Sequence, residues 1–314
     1  MIGLLRLLEM GGRFDHWDLR LKYGALFPLL SRLPRYASYR FASLYGKIEF
    51  RRDQELSTQI AHQMGRAIPG LEDQIYKDWT RYFYGLQQRE ILDTWYYPRL
   101  KSAEQVGGFI EVENFEQVLS FRREGRPVIF AGAHLGRFWM LGVTAAAYGV
   151  PTSALARDDE GSNTWGLPEP EFAYRRLKLS RLRACYRSDF ITPGASNMRP
   201  LLQALKERPI AILLDVPYHK GSPGLVPVPF FGREGYFPEG TIKIAKRAGA
   251  VIQPFCVDEH RQGIKLRFMS PVEVEGRSSE ALLAMLVGDI EQRIRQNPGR
   301  WWQWQALPMY WGEV

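Results

Sequence analysis

His134 stands on a short loop between two apolar stretches of the chain. The first, Val128 to Ala131, reads as a buried strand broken at Gly132; the second, from about Arg137 to Tyr148, reads as a helix. A polar side chain at the carboxyl end of a strand, just before a helix, is where open α/β sheets assemble their sites. An imidazole titrates near neutrality, so it can take a proton from a hydroxyl or an amine and return it. A satisfied structural histidine is the plainer reading. Three downstream segments carry groups that fit the chemical one.

Asp215 closes the apolar run Ile210 to Leu214 and so puts a carboxylate at a strand end. Capping of the strand end is its plain alternative. Arg157 ends the run Thr152 to Ala156. A guanidinium there can grip a phosphate or carboxylate through two parallel hydrogen bonds, and a structural ion pair explains it equally well. Phe230, Phe231 and Arg233 close the segment Val226-Pro-Val-Pro-Phe-Phe-Gly-Arg233, where the two rings can line a substrate pocket or fill the core.

The elements that must position these groups follow from periodicity. Residues 1–105 read as helical. Ser38 to Arg52 sets Tyr39, Phe41, Tyr45 and Phe50 among Arg40, Lys47, Arg51 and Arg52. A basic amphipathic helix of this kind can lie on a membrane or pack its apolar face on the protein's own core. Leu71 to Tyr97 reads as one long helix. From 106 short apolar runs alternate with helical ones. Phe109–Val112, Val128–Ala131, Thr152–Ala156, Ile210–Leu214, Val251–Val257 and Ile264–Met269 are expected strands. Asn114–Glu124, Leu201–Glu207, Gly240–Ala248 and Ser279–Gln296 are expected helices, with Gly249 as a C-cap. Such alternation predicts an α/β fold with a mixed central sheet flanked by helices. The expected division is a helical region over 1–105 and an α/β domain over 106–314, packed as one compact unit. Asp158 to Leu167 reads as a polar loop beyond a strand end, either solvated or able to fold over a site.

The chain has 314 residues, a formal net charge of +8 and two cysteines, Cys185 and Cys256. Its length is ample for a full core. Two distant cysteines give neither a metal spacing nor a disulfide framework, and the sequence has no zinc-spaced His/Cys cluster, no G-x-G-x-x-G and no P-loop, so no metal and no cofactor is expected. The basic balance suits an anionic membrane surface, an acidic carrier protein or nucleic acid. Nucleic acid is set aside, because the basic residues are spread out and no recognition motif appears. No apolar run approaches the length needed to span a bilayer. We expect a cytoplasmic protein, at most peripheral on the inner membrane.

At His134 the chain resembles the bacterial lipid A biosynthesis acyltransferases, also called the lauroyl/myristoyl acyltransferases. That family carries His-x4-Asp/Glu, typically within His-x-Gly-Asn-Trp-Glu. Here His134-Leu-Gly-Arg-Phe-Trp139 keeps the His and Gly136, with Arg137 at the Asn position and Trp139 at the acidic one. Asp215 is similar to the Asp of the family's strand ending in Asp-Gln, although Val216 follows it. Val226 to Arg233 resembles the family's Val-x-Val-x-Phe-Phe-Gly-Arg segment. Asn297-Pro-Gly-Arg-Trp-Trp-Gln-Trp304 resembles its Pro-Glu-Gln-Trp-x-Trp ending. The matches span roughly residues 34 to 304.

The resemblance implies a glycerolphosphate-acyltransferase-like sheet and transfer of an acyl group from an acyl carrier protein or coenzyme A thioester to a hydroxyl or amine. The acceptor would be a lipid or a biosynthetic intermediate. His134 would be the general base. Arg137, Trp139, Arg157, Asp215, Phe230, Phe231 and Arg233 would contact substrate. Backbone N–H groups around Leu135–Arg137 would hold the oxyanion. Trp139 cannot orient an imidazole as a carboxylate does. The chain can compensate in two ways: another acid, such as Asp215 or Asp158, approaches His134 in space, or the acceptor is an amine, a better nucleophile than an alcohol that needs less help. The alternative is an inactive relative that binds acyl chains or a partner protein.

Overall fold

The computed structural model describes residues 16–156, 163, 166–194, 197–260 and 263–314. The chain forms two compact units that interleave in sequence. The first takes in the described residues of 1–98, 159–182 and 294–307; the second takes in the described residues of 99–158, 183–293 and 308–314.

The first unit is helical: α1 (Arg35–Arg52), α2 (Gln54–Ala67) and α3 (Asp73–Tyr96) follow a broken helical stretch from His16 to Leu30. Asp53 caps α2 by accepting the Leu56 N–H, as expected of an Asp at that position. Phe27, Ala42, Leu92, Tyr96 and Tyr174 form the core of this unit. Polar groups are also taken inside. Lys22 and Glu49 pair at 2.6 Å with both side chains buried, and Gln88 donates to the same carboxylate. Burial nonetheless holds the Glu49 carboxyl above its ordinary value, with Lys22 opposing. The tryptophan-rich segment near the end belongs to this unit. Trp301 and Trp304 are fully buried, and the Trp304 indole donates to the Pro298 carbonyl at 2.8 Å.

The second unit is a mixed sheet flanked by helices. Its strands are β1 (Ile110–Glu113), β2 (Val128–Gly132), β3 (Ser153–Ala154), β4 (Ile210–Leu213), β7 (Val251–His260) and β8 (Gly263–Phe268), in the order β1-β8-β7-β2-β4-β3. Among the described strands of this sheet, only the β7–β8 pair is antiparallel. Between β2 and β3 runs α4 (Met140–Ala147); α5 (Glu169–Tyr186), which follows β3 in sequence, belongs to the first unit as far as Leu182. Then come α6 (Met198–Glu207), α7 (Gly240–Ala248) and α8 (Ser279–Gln296). Every residue of β2 is buried, as a strand with parallel neighbours on both sides requires.

A separate antiparallel ribbon joins β5 (Leu225–Phe230) to β6 (Arg233–Pro238) through the two-residue turn Phe231-Gly232. Both turn residues have positive φ, 53° and 74°, the geometry of a type I′ hairpin. In such a hairpin Phe230 and Arg233 are the first hydrogen-bonded pair. Pro227 and Pro229 then fall on the alternate positions, whose N–H groups point away from the partner strand.

Candidate active site

Strand register brings together two residues 81 positions apart. Parallel pairing matches Gly132 of β2 with Leu213 of β4, and the Leu214 N–H donates to the Gly132 carbonyl at 2.8 Å. Two residues beyond each strand lie His134 and Asp215. His134 Nδ1 is 2.9 Å from Asp215 Oδ1, and the His134 backbone N–H donates to the same carboxylate at 2.9 Å. The aspartate side chain is fully buried, while the imidazole remains 25% exposed. The carboxylate therefore holds the residue at two points, main chain and ring. With Nδ1–H donating to Asp215, Nε2 carries the lone pair.

The peptide of Asp215 is held as well. The Tyr310 hydroxyl donates to the Asp215 carbonyl at 2.5 Å. Burial, reinforced by the nearby Asp215 charge, keeps the Tyr310 phenol well above its usual range, so it stays a donor. Tyr310 packs in turn against Phe230 and Phe237, with ring centroids 5.7 and 5.0 Å away. The Trp311 indole donates to the Phe230 carbonyl at 3.2 Å. Phe230 is thus a buried support whose packing leads to Asp215. Phe231 is also buried, and its N–H donates to Glu291 at 2.7 Å.

The loop that carries His134 turns at Gly136, where φ is +62° and a Cβ would lie 2.3 Å from the Val257 carbonyl oxygen. Only glycine fits that position without displacing β7. The Leu135 N–H donates back to the Ala133 carbonyl at 2.7 Å. Helix α4 starts at Met140, three residues later than the apolar pattern predicts. The residues from Arg137 to Trp139 form a turn, in which the Arg137 carbonyl accepts the Met140 N–H.

The other predicted residues fall as follows. Arg137 is buried; its Nε lies 2.9 Å from Glu259, and its guanidinium sits 5.6 Å from the Phe109 ring. The ring beside His134 is Phe138, at 5.1 Å and edge-on. Trp139 stacks on Phe190 at 5.9 Å, and its carbonyl accepts the Tyr186 hydroxyl at 2.8 Å. Arg233 is half exposed, pairs with Glu313 at 2.7 Å and covers the Trp311 ring at 4.2 Å. Arg157 and Asp158, and the polar loop that they begin, lie outside the described residues, apart from its end at Asn163, Gly166 and Leu167. A small apolar pocket borders the His134 loop, lined by Leu135, Leu214, Phe255, Leu286 and Ile290 among others.

The contributions of Tyr310, Phe138 and Glu259 have no local signature in the sequence. Tyr310 sits 95 residues after the group it holds. Glu259 is part of the strand β7, beyond the run that apolar patterning marks as a strand.

A family model described as bacterial lipid A biosynthesis acyltransferase matches residues 25–306. Among solved structures, the crystal structure of the 1-acyl-sn-glycerophosphate (LPA) acyltransferase PlsC from Thermotoga maritima is similar. The alignment covers 83% of this chain and 97% of that one, at 15% sequence identity and a TM-score of 0.36. No curated protein matches the chain.

Proposed function

The chain belongs to the bacterial lipid A biosynthesis acyltransferase family, and from that premise we propose that it is an acyltransferase whose general base, His134, is oriented by Asp215 rather than by an acid five residues along the same loop. Acyl transfer in lipid biosynthesis is the coarse activity of the family. The donor in this reading is an acyl carrier protein or coenzyme A thioester. The acceptor is a hydroxyl or amine of a lipid or a biosynthetic intermediate. The protein works on the cytoplasmic side, at most peripheral on the inner membrane.

The observation that carries the reading is the 2.9 Å contact between His134 Nδ1 and the fully buried Asp215 carboxylate. It gives the imidazole one tautomer and one orientation, with Nε2 available to the acceptor. As the acceptor oxygen or nitrogen attacks the thioester carbonyl carbon, its proton passes to Nε2. The tetrahedral intermediate collapses with cleavage of the C–S bond, and Nε2 returns the proton to the leaving sulfur. Asp215 stabilises the imidazolium between the two transfers, which is the role of the third member of a serine hydrolase triad. Phe138 forms an apolar wall beside the ring, and Phe230 with Tyr310 supports the Asp215 peptide.

The test is incubation of the purified protein with acyl carrier protein thioesters and coenzyme A thioesters, with candidate hydroxyl and amine acceptors, read by intact mass. Transfer that disappears in His134→Ala supports the reading. Transfer that persists in that variant within about tenfold removes His134 as the base, since such groups contribute typically about 10² to 10⁴ in rate.

A further inference from the structure

Eight of the twelve exposed large hydrophobic side chains among the described residues fall between Trp17 and Ile48. An isolated exposed leucine needs no explanation, but a contiguous apolar stripe marks an interaction surface. Helix α1 provides the clearest part of it. One face packs on α3: Ser38, Ala42, Gly46 and Glu49 are buried there. On the opposite side Phe41, Leu44 and Ile48 are 51%, 50% and 45% exposed. Their spacing of three and four residues lines them up along one stripe.

The charges of α1 are sorted in the same way. At about 100° per residue, Arg40, Lys47 and Arg51 fall along one edge of the stripe and Arg52 along the other, all four exposed. The helix has one acidic residue, Glu49, which is on the buried face and paired with Lys22. The segment that precedes α1 adds Trp17, Leu21, Leu29 and Leu33 to the exposed set and the first turn of α1 adds Tyr36, with Arg20 and Arg40 stacked on Trp17 and Tyr36. Aromatic, aliphatic and basic side chains mixed in this way match the interface of a bilayer, where rings and basic heads reach the headgroups and aliphatic tips enter the acyl region. No helix among the described residues is long and apolar enough to cross a membrane.

We propose that the outer face of α1, centred on Phe41, Leu44 and Ile48 and edged by Arg40, Lys47 and Arg51, is a docking surface for an anionic lipid bilayer. The basic edges select the anionic surface, and the apolar stripe supplies binding that salt does not screen. This deepens the peripheral attachment proposed above. Its test reads lipid binding and not acyl transfer, so either proposal can fail alone.

The experiment is co-sedimentation of the full chain with vesicles of equal parts phosphatidylglycerol and phosphatidylcholine, and with phosphatidylcholine alone. The expected result is binding to the anionic vesicles that weakens with salt and is much poorer on the neutral ones. Phe41→Ser/Leu44→Ser/Ile48→Ser should lower the anionic-vesicle affinity roughly tenfold or more, given the area that three such side chains withdraw from water. Arg40→Gln/Lys47→Gln/Arg51→Gln should lower it too and flatten the salt dependence. This second variant changes only exposed side chains, and it decides the matter if the first melts early. Unchanged affinity in either soluble variant would overturn the proposal. So would a wild-type dimer that the serine variant converts to a monomer, because the stripe would then be covered by a second copy.

Discussion

His134 and Asp215 are joined twice, through the ring at 2.9 Å and through the backbone N–H of His134 at 2.9 Å. The carboxylate therefore acts on where the histidine is as well as on how its ring is turned. Asp215→Asn keeps an acceptor for the backbone N–H but loses the charge opposite the imidazolium. We expect it to fold and to lose about 10² to 10⁴ in rate, on the scale of the same change in a serine protease triad. In a double-mutant cycle with His134→Ala, the combined loss should be little greater than that of His134→Ala alone, because the two act as one unit. Additive losses in single-turnover kinetics would mean that Asp215 works elsewhere.

Trp139→Glu places an acid where the family has one, yet the imidazole is already paired. The new carboxylate would enter an aromatic cluster with Phe190 and Tyr186. We expect a lower melting temperature and no gain in rate, whereas Trp139→Phe should stay close to wild type. A large gain with Glu would show that the orientation by Asp215 is not the working one.

Gly136→Ala forces a side chain into the left-handed region and against the Val257 carbonyl. The backbone cost alone is about 1–3 kcal/mol. The loop should shift and carry His134 with it, so activity should fall further than stability predicts. The comparison of kcat with Tm across Gly136→Ala and a surface control checks this.

Phe231 holds a positive φ without being glycine, and its part-buried N–H is met by Glu291 at 2.7 Å. Glu291→Ala should cost about 1–3 kcal/mol by leaving that donor unpaired. Glu291→Gln, which retains an acceptor oxygen, should cost less. Equal denaturation midpoints for the two variants would remove the capping role.

Burial, with Asp258 adding, pushes the Cys256 thiol up to about 11. At pH 8 it should resist alkylation in the folded protein and react once the chain is unfolded. The folded thiol holds its proton more tightly than the unfolded one, whose ordinary value is about 8.5. Its stabilising contribution is therefore complete below that value and is lost as pH rises through about 11. Mass spectrometry of alkylated Cys256 at pH 8, with and without denaturant, checks the first claim.

Much of this architecture was legible because one signal dominates it. Val128–Ala131 and Ile210–Leu214 read as strands from apolar runs alone, and the helix Gly240–Ala248 has the bounds that its pattern and Gly249 suggest. Asp215 was legible as a strand-end carboxylate. Its partner was not fixed, because which strands lie side by side is decided by packing rather than by any local pattern. The ribbon of β5 and β6 was hidden for another reason. Two prolines in one strand argue against pairing, and they are tolerated because both occupy positions that do not donate to the ladder. The start of α4 was read too early, because the apolar residues from Phe138 onward are core whether or not they are helical. Arg137 was expected to contact substrate, and nothing local in the sequence signals its pairing with Glu259, which lies 122 residues along the chain.

The register of β2 against β4 also says what kind of change this site can absorb. His134 and Asp215 face one another because each lies two residues past a matched pair, Gly132 and Leu213. A side chain at 139 can be exchanged without touching that count. A single residue inserted or deleted between Gly132 and His134, or between Leu213 and Asp215, would send one partner to the opposite face of its strand extension. Over evolutionary time such a site should record its history in substitutions at 139 and in strictly conserved lengths at the two strand ends. The pairing is thus a spacing across two strands, which a search along one loop cannot find.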